Sequence, residues 1–232
     1  MILVNNMFDR FKLLVNNKFD DVKNTTVLVI GLGGVGSFCV ETLVRSGINN
    51  LILVDGDKID VTNLNRQLMS DHTNIGCFKT DVWKKRINNI NPDCNLTLIT
   101  KFIDKNNINE LFKYNVDYVV DACDTVSTKI LLIEKCYKKN IKLISCMGTG
   151  NKMDPTRLKL VDINKTSYDP LAKIIRKKCR ELGIKKQMVL CSTEKSIKKS
   201  ISVIPSNSFV PATAGLLITS YIINDIVGDL HV

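Results

Sequence analysis

The chain has 232 residues, 44% hydrophobic and 24% charged, a balance that excludes extended disorder and low-complexity architecture. Its length suits one large α/β domain, or a nucleotide-binding half plus a smaller half sharing its sheet. The net charge of +10 is uneven: from Lys165 to Lys199 eleven Lys or Arg face only Asp169, Glu181 and Glu194, about +8 of the total.

An excess of that kind is either a solvated basic surface or the footprint of a polyanionic partner such as RNA. The opening Met1-Ile2-Leu3-Val4 is broken at Asn5-Asn6, too short for a signal-peptide core. The longest apolar stretch, 212–227, is interrupted by Thr213, Thr219, Ser220, Asn224 and Asp225. A membrane span needs about 20 mostly apolar residues, so a buried or interface helix is expected there. Eight cysteines form no C-x-x-C pair, which argues for a reducing, cytoplasmic setting and against structural zinc.

No repeat or Gly/Ser/Pro-rich linker divides the chain, so 1–232 reads as a single unit. An amphipathic N-terminal segment (1–24) carries Phe8, Phe11 and Leu14. The β-branched run 26–30 reads as a strand, followed by a glycine loop and a helix over 35–46 that stops at Gly47. A second strand, 50–54, ends in Asp55-Gly56-Asp57. A loop through Asn63 and Gln67 then leads to a helix over 75–90, halted before Pro92. A strand at 95–99, a helix at 107–112 and a strand at 117–121 follow. The next helix shows Val126, Ile130, Ile133 and Tyr137 on one face, and a strand at 141–146 completes the nucleotide-binding part, 25–150. Beyond it, 151–232 is expected to form the substrate and dimer part. A strand at 158–162, a helix at 170–182 capped by Asp169 with Pro170 first, strands at 188–191 and 201–204, and an apolar helix after Pro211 extend the sheet. Strands alternating with helices imply right-handed crossovers. The fold class expected is therefore α/β: a Rossmann-like, mainly parallel sheet flanked by helices, extended by antiparallel strands in the C-terminal half.

Gly31-Leu32-Gly33-Gly34-Val35-Gly36 satisfies G-x-G-x-x-G directly after a strand and at the opening of a helix. Gly31 and Gly33 allow the tight turn and close backbone approach, and helix N-terminal amides then face a phosphate. Asp55, at the end of the second strand, stands where a carboxylate bonds ribose hydroxyls. The motif alone fits a dinucleotide or ATP. Arg66, Lys79 and Asp124 also lie at carboxyl ends of strands, on the expected crevice. Two cations and a carboxylate suit a triphosphate with magnesium, and a nicotinamide needs neither. The polar face of 170–182, with Lys173, Arg176, Lys177 and Arg180 opposite Leu171, Ile174, Ile175, Cys179 and Leu182, is a candidate for RNA phosphates. No aromatic-rich platform accompanies it, which favours recognition of shape and backbone over base stacking.

Five blocks resemble the adenylating core of the ubiquitin-activating-enzyme superfamily: Gly-Leu-Gly-Gly-Val-Gly, Val-Asp-Gly-Asp, Asn-Leu-Asn-Arg-Gln, Ile-Gly-Cys-Phe-Lys and Val-Asp-Ala-Cys-Asp. Later blocks resemble one branch, the tRNA threonylcarbamoyladenosine dehydratases: Asp124 to Lys129, Met147 to Thr156, Lys165 to Ala172 and Pro211 to Gly215. The resemblance runs from about Arg10 to Val227.

That resemblance implies adenylation of the threonyl carboxylate of the modified adenosine beside the anticodon, followed by ring closure. It implies that Asp55 holds the ribose, that Arg66 and Lys79 hold the triphosphate, and that Asp124 ligates magnesium. Asn63 and Gln67 support the nucleotide loop, and Gly31, Gly33, Gly34, Gly36 and Asp57 belong to the same binding set. Arg10 or Lys12 would reach the ATP of a partner subunit in a homodimer. A monovalent cation and a sulfurtransferase-type protein partner are further expectations of the family. Lys165 and Asn151 are candidate contacts on the acceptor side. Cys146, Cys179 and Cys191 stand nearest to where some sulfur-carrier relatives keep a reactive cysteine, but Cys146 ends an apolar strand and reads as core or pocket lining. The alternatives are adenylation of the C-terminal glycine of a ubiquitin-like sulfur carrier, a non-catalytic nucleotide-sensing or RNA-binding protein, and a dehydrogenase.

Overall fold

The computed structural model describes residues 5–196 and 203–228. Seven strands form one sheet: β1 (Thr26–Ile30), β2 (Asn50–Val54), β3 (Asn95–Ile99), β4 (Tyr118–Asp121), β5 (Lys142–Cys146), β6 (Leu158–Asp162) and β7 (Met188–Ser192). Their spatial order is β3-β2-β1-β4-β5-β7-β6. All neighbours run parallel except β6 against β7. The C-terminal extension is thus narrower than expected: β7 joins β5 in parallel, and β6 alone is reversed. No strand forms at 203–204, and 201–202 lie outside the described residues.

The strands are apolar on both faces because helices cover both. One side buries Val27, Val29, Leu51, Leu53 and Val120 beneath α3 (Gly34–Arg45) and α7 (Phe209–Val227). The other buries Leu28, Ile30, Ile52, Val54 and Val119 beneath α5 (Val126–Lys139) and α6 (Pro170–Glu181). This period of two along each strand makes one run of apolar residues serve both cores. The remaining helices are α1 (Asp9–Val15), α2 (Phe19–Asn24) and α4 (Lys79–Ile90).

Helix α7 has the length and apolarity of a membrane span. Its Val210, Ala214, Ile218 and Ile222 are nonetheless fully buried in the sheet's core, and Thr219 Oγ1 donates to the Cys39 carbonyl on α3 at 3.2 Å. It is packed as a core helix.

Several expectations shift. The helix expected from 75 begins at Lys79. Asp71 and Asn74 bond the backbone of their own turn, Gly76 takes φ +85°, and Phe78 bridges Lys58 instead of continuing a helix. The segment 107–112 closes as a 3-10 helix, Ile108–Lys113. On α5 the inward residues are Thr128, Lys129, Leu132, Ile133 and Cys136, whereas Tyr137 is 51% exposed. On α6, Ile174 and Leu182 face solvent, and Ala172, Ile175 and Cys179 are buried.

Candidate nucleotide-binding active site

Strand order reverses between β1 and β4, the place where open α/β sheets leave a crevice at their carboxyl ends. A cleft of about 930 Å³ opens there, within the range of small-ligand sites. Gly31, Gly33, Gly34, Asp55, Asp57, Asn63, Arg66, Gln67, Lys79 and Asp124 all line it. These residues span 94 positions of sequence, and only the parallel crossovers bring them together.

The glycines divide the work. Gly31 sits at φ +88°, and a Cβ on it would lie 2.7 Å from the Ala122 carbonyl, so the turn off β1 passes directly against the chain leaving β4. A Cβ on Gly36 would fall 1.8 Å from the Gly31 oxygen. Gly36 therefore closes helix α3 onto the loop and lies outside the cleft lining. Gly33 differs: a Cβ there would meet only Gln67 Nε2, at 3.9 Å. Its bareness serves the cleft, not the fold. The first turn of α3 leaves backbone N–H groups without helical acceptors, a ready anion site.

Asp55 is almost wholly buried. Its Oδ2 accepts the Leu32 N–H at 2.7 Å and its Oδ1 the Asp57 N–H at 2.8 Å, so it anchors the glycine loop to the end of β2. Burial pushes its carboxyl up, against the pull of Lys79 and the two backbone donors. Lys79 is equally buried, with Nζ 2.9 Å from Asp57 Oδ2 and 3.8 Å from Asp55 Oδ2. The late start of α4 produces this contact: the Lys79 N–H donates to the Asp57 carbonyl at 3.1 Å, fixing the first helical residue on the β2 loop.

Arg66 is half-buried, with Nη1 bonding the Thr62 carbonyl at 2.8 Å and Asn65 Oδ1 at 2.9 Å. Asn63 and Asp60 form a reciprocal capping box that shapes this loop. Gln67 is buried, and its Oε1 has no hydrogen-bond partner among the described residues, an acceptor that a ligand donor in the cleft would satisfy. Asp124 is exposed, and among the described residues its one side-chain hydrogen bond is from the Thr125 hydroxyl, at 3.4 Å. No group of three or more His, Cys, Asp or Glu is assembled among the described residues. A divalent cation held by Asp124 would draw most of its ligands from phosphate oxygens and water, as magnesium does beside nucleotides.

The remaining candidates separate. Asn151 lines the cleft and Lys165 does not. Arg10 and Lys12 are exposed on α1, away from the cleft lining, and Lys12 pairs with Asp9 and stands over the Phe19 ring. Cys146 touches the cleft from below but is buried, which pushes its thiol up to about 12. Burial likewise raises Cys179 and Cys191 to about 11. None of the three is a thiolate at neutral pH. Arg176 turns inward and is half-buried, with Nη1 2.6 Å from Thr166 Oγ1 and 2.9 Å from its carbonyl, so its guanidinium is committed to the turn before α6.

Several cleft residues were given no site role by the sequence reading, and four of them matter here. Phe102 is 69% exposed on the lining, and its ring lies 2.7 Å from where a Gly56 Cβ would stand. Lys129 is wholly buried under the cleft against Asp121. Asp169, recognised as a helix cap, also accepts the Gly148 N–H at 3.2 Å. Pro211 sits against Gly34. Phe102 had no local signal. Lys129 could have been found, because its spacing from Leu132, Ile133 and Cys136 puts it on the apolar face of α5.

A family model described as the ThiF family matches residues 6–225. The Bacillus subtilis tRNA threonylcarbamoyladenosine dehydratase is 39% identical, across 97% of this chain and 96% of its own. The Haemophilus influenzae enzyme of the same name is 40% identical over 78% and 71%. The crystal structure of the Escherichia coli enzyme with ATP superposes with a TM-score of 0.89 at 29% identity, covering 97% of both chains; its complex with AMP gives 0.88 at the same identity and coverage. The chain belongs to the ThiF family, in its tRNA threonylcarbamoyladenosine dehydratase branch.

Proposed function

We propose that this protein is an ATP-dependent tRNA threonylcarbamoyladenosine dehydratase. The observation that carries the reading is a nucleotide cleft with the glycine loop, Asp55, Arg66, Lys79 and Asp124 on its wall, in a chain alike to such enzymes from end to end.

The threonyl carboxylate attacks the α-phosphorus of ATP, and pyrophosphate leaves. A nucleophile in the same side chain then attacks the acyl carbon and gives up its proton to solvent, closing a ring and releasing AMP with the carboxylate's former oxygen. The net loss from the nucleoside is one water. A nucleophile already tethered to the acyl group needs no enzyme cysteine, which accords with the buried, protonated Cys146. Arg66 and Lys79 neutralise charge building on the phosphates. Lys79 is held by Asp57 beforehand, so it exchanges one anion for another without being desolvated anew. Asp55 orders the loop through Leu32 and meets the ribose, Asn63 and Gln67 shape the nucleotide loop, and Phe102 over Gly56 offers an apolar wall to the base. Magnesium held by Asp124 would supply charge neutralisation at the phosphates.

The reading extends to a homodimer, for which the exposed Phe209 and Leu216 on α7 offer apolar surface. In it Arg10 is favoured over Lys12 as the residue reaching the partner's nucleotide, because Lys12 is engaged within its own segment. A monovalent cation, a sulfurtransferase-type partner and a cytoplasmic setting follow from the family resemblance; eight unpaired cysteines suit a reducing compartment.

The test is mass spectrometry of nucleosides from tRNA bearing threonylcarbamoyladenosine, incubated with the protein, magnesium and ATP. Loss of one water with stoichiometric AMP is expected. Pyrophosphate exchange stimulated by a ubiquitin-like carrier protein and not by tRNA would overturn the reading.

A further inference from the structure

Two residues join the short turn after β6 to α6, and each end of that join is tied down. On one side Thr166 is buried, its hydroxyl donating to the Ile163 carbonyl at 2.7 Å while Arg176 Nη1 bonds both its oxygens. On the other, Asp169 Oδ1 caps α6 at the Ala172 N–H, 3.0 Å, and its Oδ2 takes the Gly148 N–H of the cleft wall. Ser167 and Tyr168 must span what lies between. Tyr168 does so at φ +60°, a left-handed conformation that a bulky aromatic side chain seldom adopts and that marks functional sites more often than chance.

The strain does not bury the ring. Tyr168 is 61% exposed, with Lys195 Nζ 5.3 Å from its centroid. The ring borders a shallow cavity of about 450 Å³ shared with Asp154, Arg157, Thr193, Glu194 and Lys195. The acids there are committed: Glu194 accepts the Met153 and Asp154 N–H groups, and Asp154 caps Thr156 and pairs with Arg157 at 3.1 Å. Among the described residues, Lys195 has no carboxylate partner and carries the charge left for a ligand, and Lys173, Lys177 and Arg180 of α6 are exposed. The next three residues, Asp169, Pro170 and Leu171, already line the nucleotide cleft. Ser196, beside Lys195, lines it too, so Tyr168 and Lys195 each stand one residue outside the cleft's lining, at its lip in sequence.

Resting on the reading above, we propose that Tyr168, backed by Lys195, is a stacking platform for one anticodon-loop base next to the modified adenosine. For the threonyl carboxylate to reach the cleft, the adenosine must leave its stack, and the neighbouring base loses a partner. An exposed ring at the lip with an ammonium against it replaces that partner by π-stacking and phosphate attraction, a mode that tolerates any base.

The experiment compares wild type with Tyr168→Phe, Tyr168→Ala and Tyr168→Asn. Each is measured for the Kd of an anticodon stem-loop carrying threonylcarbamoyladenosine, for the KM of ATP, and for photo-crosslinking to 5-iodouridine placed singly along the loop. Phe should bind within about twofold of wild type. Ala and Asn should bind about tenfold more weakly, lose the crosslink and keep the KM for ATP. Asparagine tolerates positive φ, so its variant relieves the backbone and separates lost stacking from lost folding. Wild-type affinity and crosslinking in the Asn variant would overturn the platform while leaving the dehydratase reading intact. A wild-type protein that neither binds nor dehydrates the stem-loop would overturn both.

Discussion

Lys129 Nζ lies 3.1 Å from Asp121 Oδ1, and neither side chain reaches solvent. The same ammonium donates to the Cys146 carbonyl at 2.8 Å, and the second Asp121 oxygen accepts the Ser145 hydroxyl at 2.5 Å. Burial alone would depress the lysine, but Asp121 foremost, with the Cys123 and Cys146 sulfurs, more than reverses this and leaves its pKa raised. The pair binds α5 to the ends of β4 and β5, directly beneath the loop that presents Asp124. Lys129→Met should cost about 3–5 kcal/mol in urea titrations, because it leaves a carboxylate buried and unpaired. Adding Asp121→Asn should recover part of the loss. Equal destabilisation of the single and double variants would sink this account.

Asp124 is exposed, and its one side-chain hydrogen bond among the described residues is the long one from the adjacent Thr125 hydroxyl. Asp124→Asn is expected to abolish tRNA-dependent pyrophosphate exchange while changing the unfolding free energy, read by urea titration, by less than about 0.5 kcal/mol. Near-normal turnover would overturn the metal role proposed for it.

The glycines offer a contrast between binding and folding. Gly33→Ala adds a methyl group that meets no protein atom closer than 3.9 Å. It should weaken ATP binding about tenfold or more, with a helix-capping cost near 1 kcal/mol. Gly36→Ala drives a methyl group to 1.8 Å from the Gly31 carbonyl and should destabilise by about 1–3 kcal/mol or more. Calorimetry of nucleotide binding beside thermal melts separates the two; matching profiles would show that Gly33 is structural as well.

Glu41 joins α3 to α4 by accepting Arg86 Nε at 2.7 Å and Nη2 at 2.9 Å, with Arg45 Nε at 2.8 Å. Burial pushes its carboxyl up, and the two guanidiniums more than reverse this, leaving it below the usual glutamate range. A lowered folded pKa adds stability that is fully present above the unfolded value, about 4.3, and lost as pH falls through the folded one. Glu41→Gln should cost about 1–3 kcal/mol at neutral pH, and its gap from wild type should close at acid pH. A gap that is constant down to pH 3 would contradict the coupling.

On α6 the cations are not equivalent. Reversing Lys173, Lys177 and Arg180 to Glu should weaken tRNA binding and flatten its salt dependence, with the fold retained. Arg176→Glu should instead destabilise the protein, because it breaks the tie to Thr166. Filter binding across a salt series, with a melt for each variant, checks both. Unchanged affinity in the triple variant would return this helix to a merely solvated surface.

The sequence by itself determined what depends on near neighbours. Short, largely apolar runs placed β1, β2, β3 and β6 to the residue, and Asp169-Pro170 announced the start of α6. A glycine loop between strand and helix marked the nucleotide end of the sheet, since those signals are set by residues two to four positions apart. Tertiary structure decided everything whose partner arrives from a distance. Lys129 could be charged and buried only because Asp121 and the Cys146 carbonyl meet it from β4 and β5. Arg176 left the basic face of α6 because Thr166 stood within its reach. Lys79 became the first residue of α4 through its ties to Asp57, 22 positions earlier. Tyr168 acquired its strained, exposed pose because Thr166 and Asp169 are pinned by separate elements. Periodicity reports which face of an element is apolar. It carries no record of which polar groups folding will bring against that face, and those pairings shape the site.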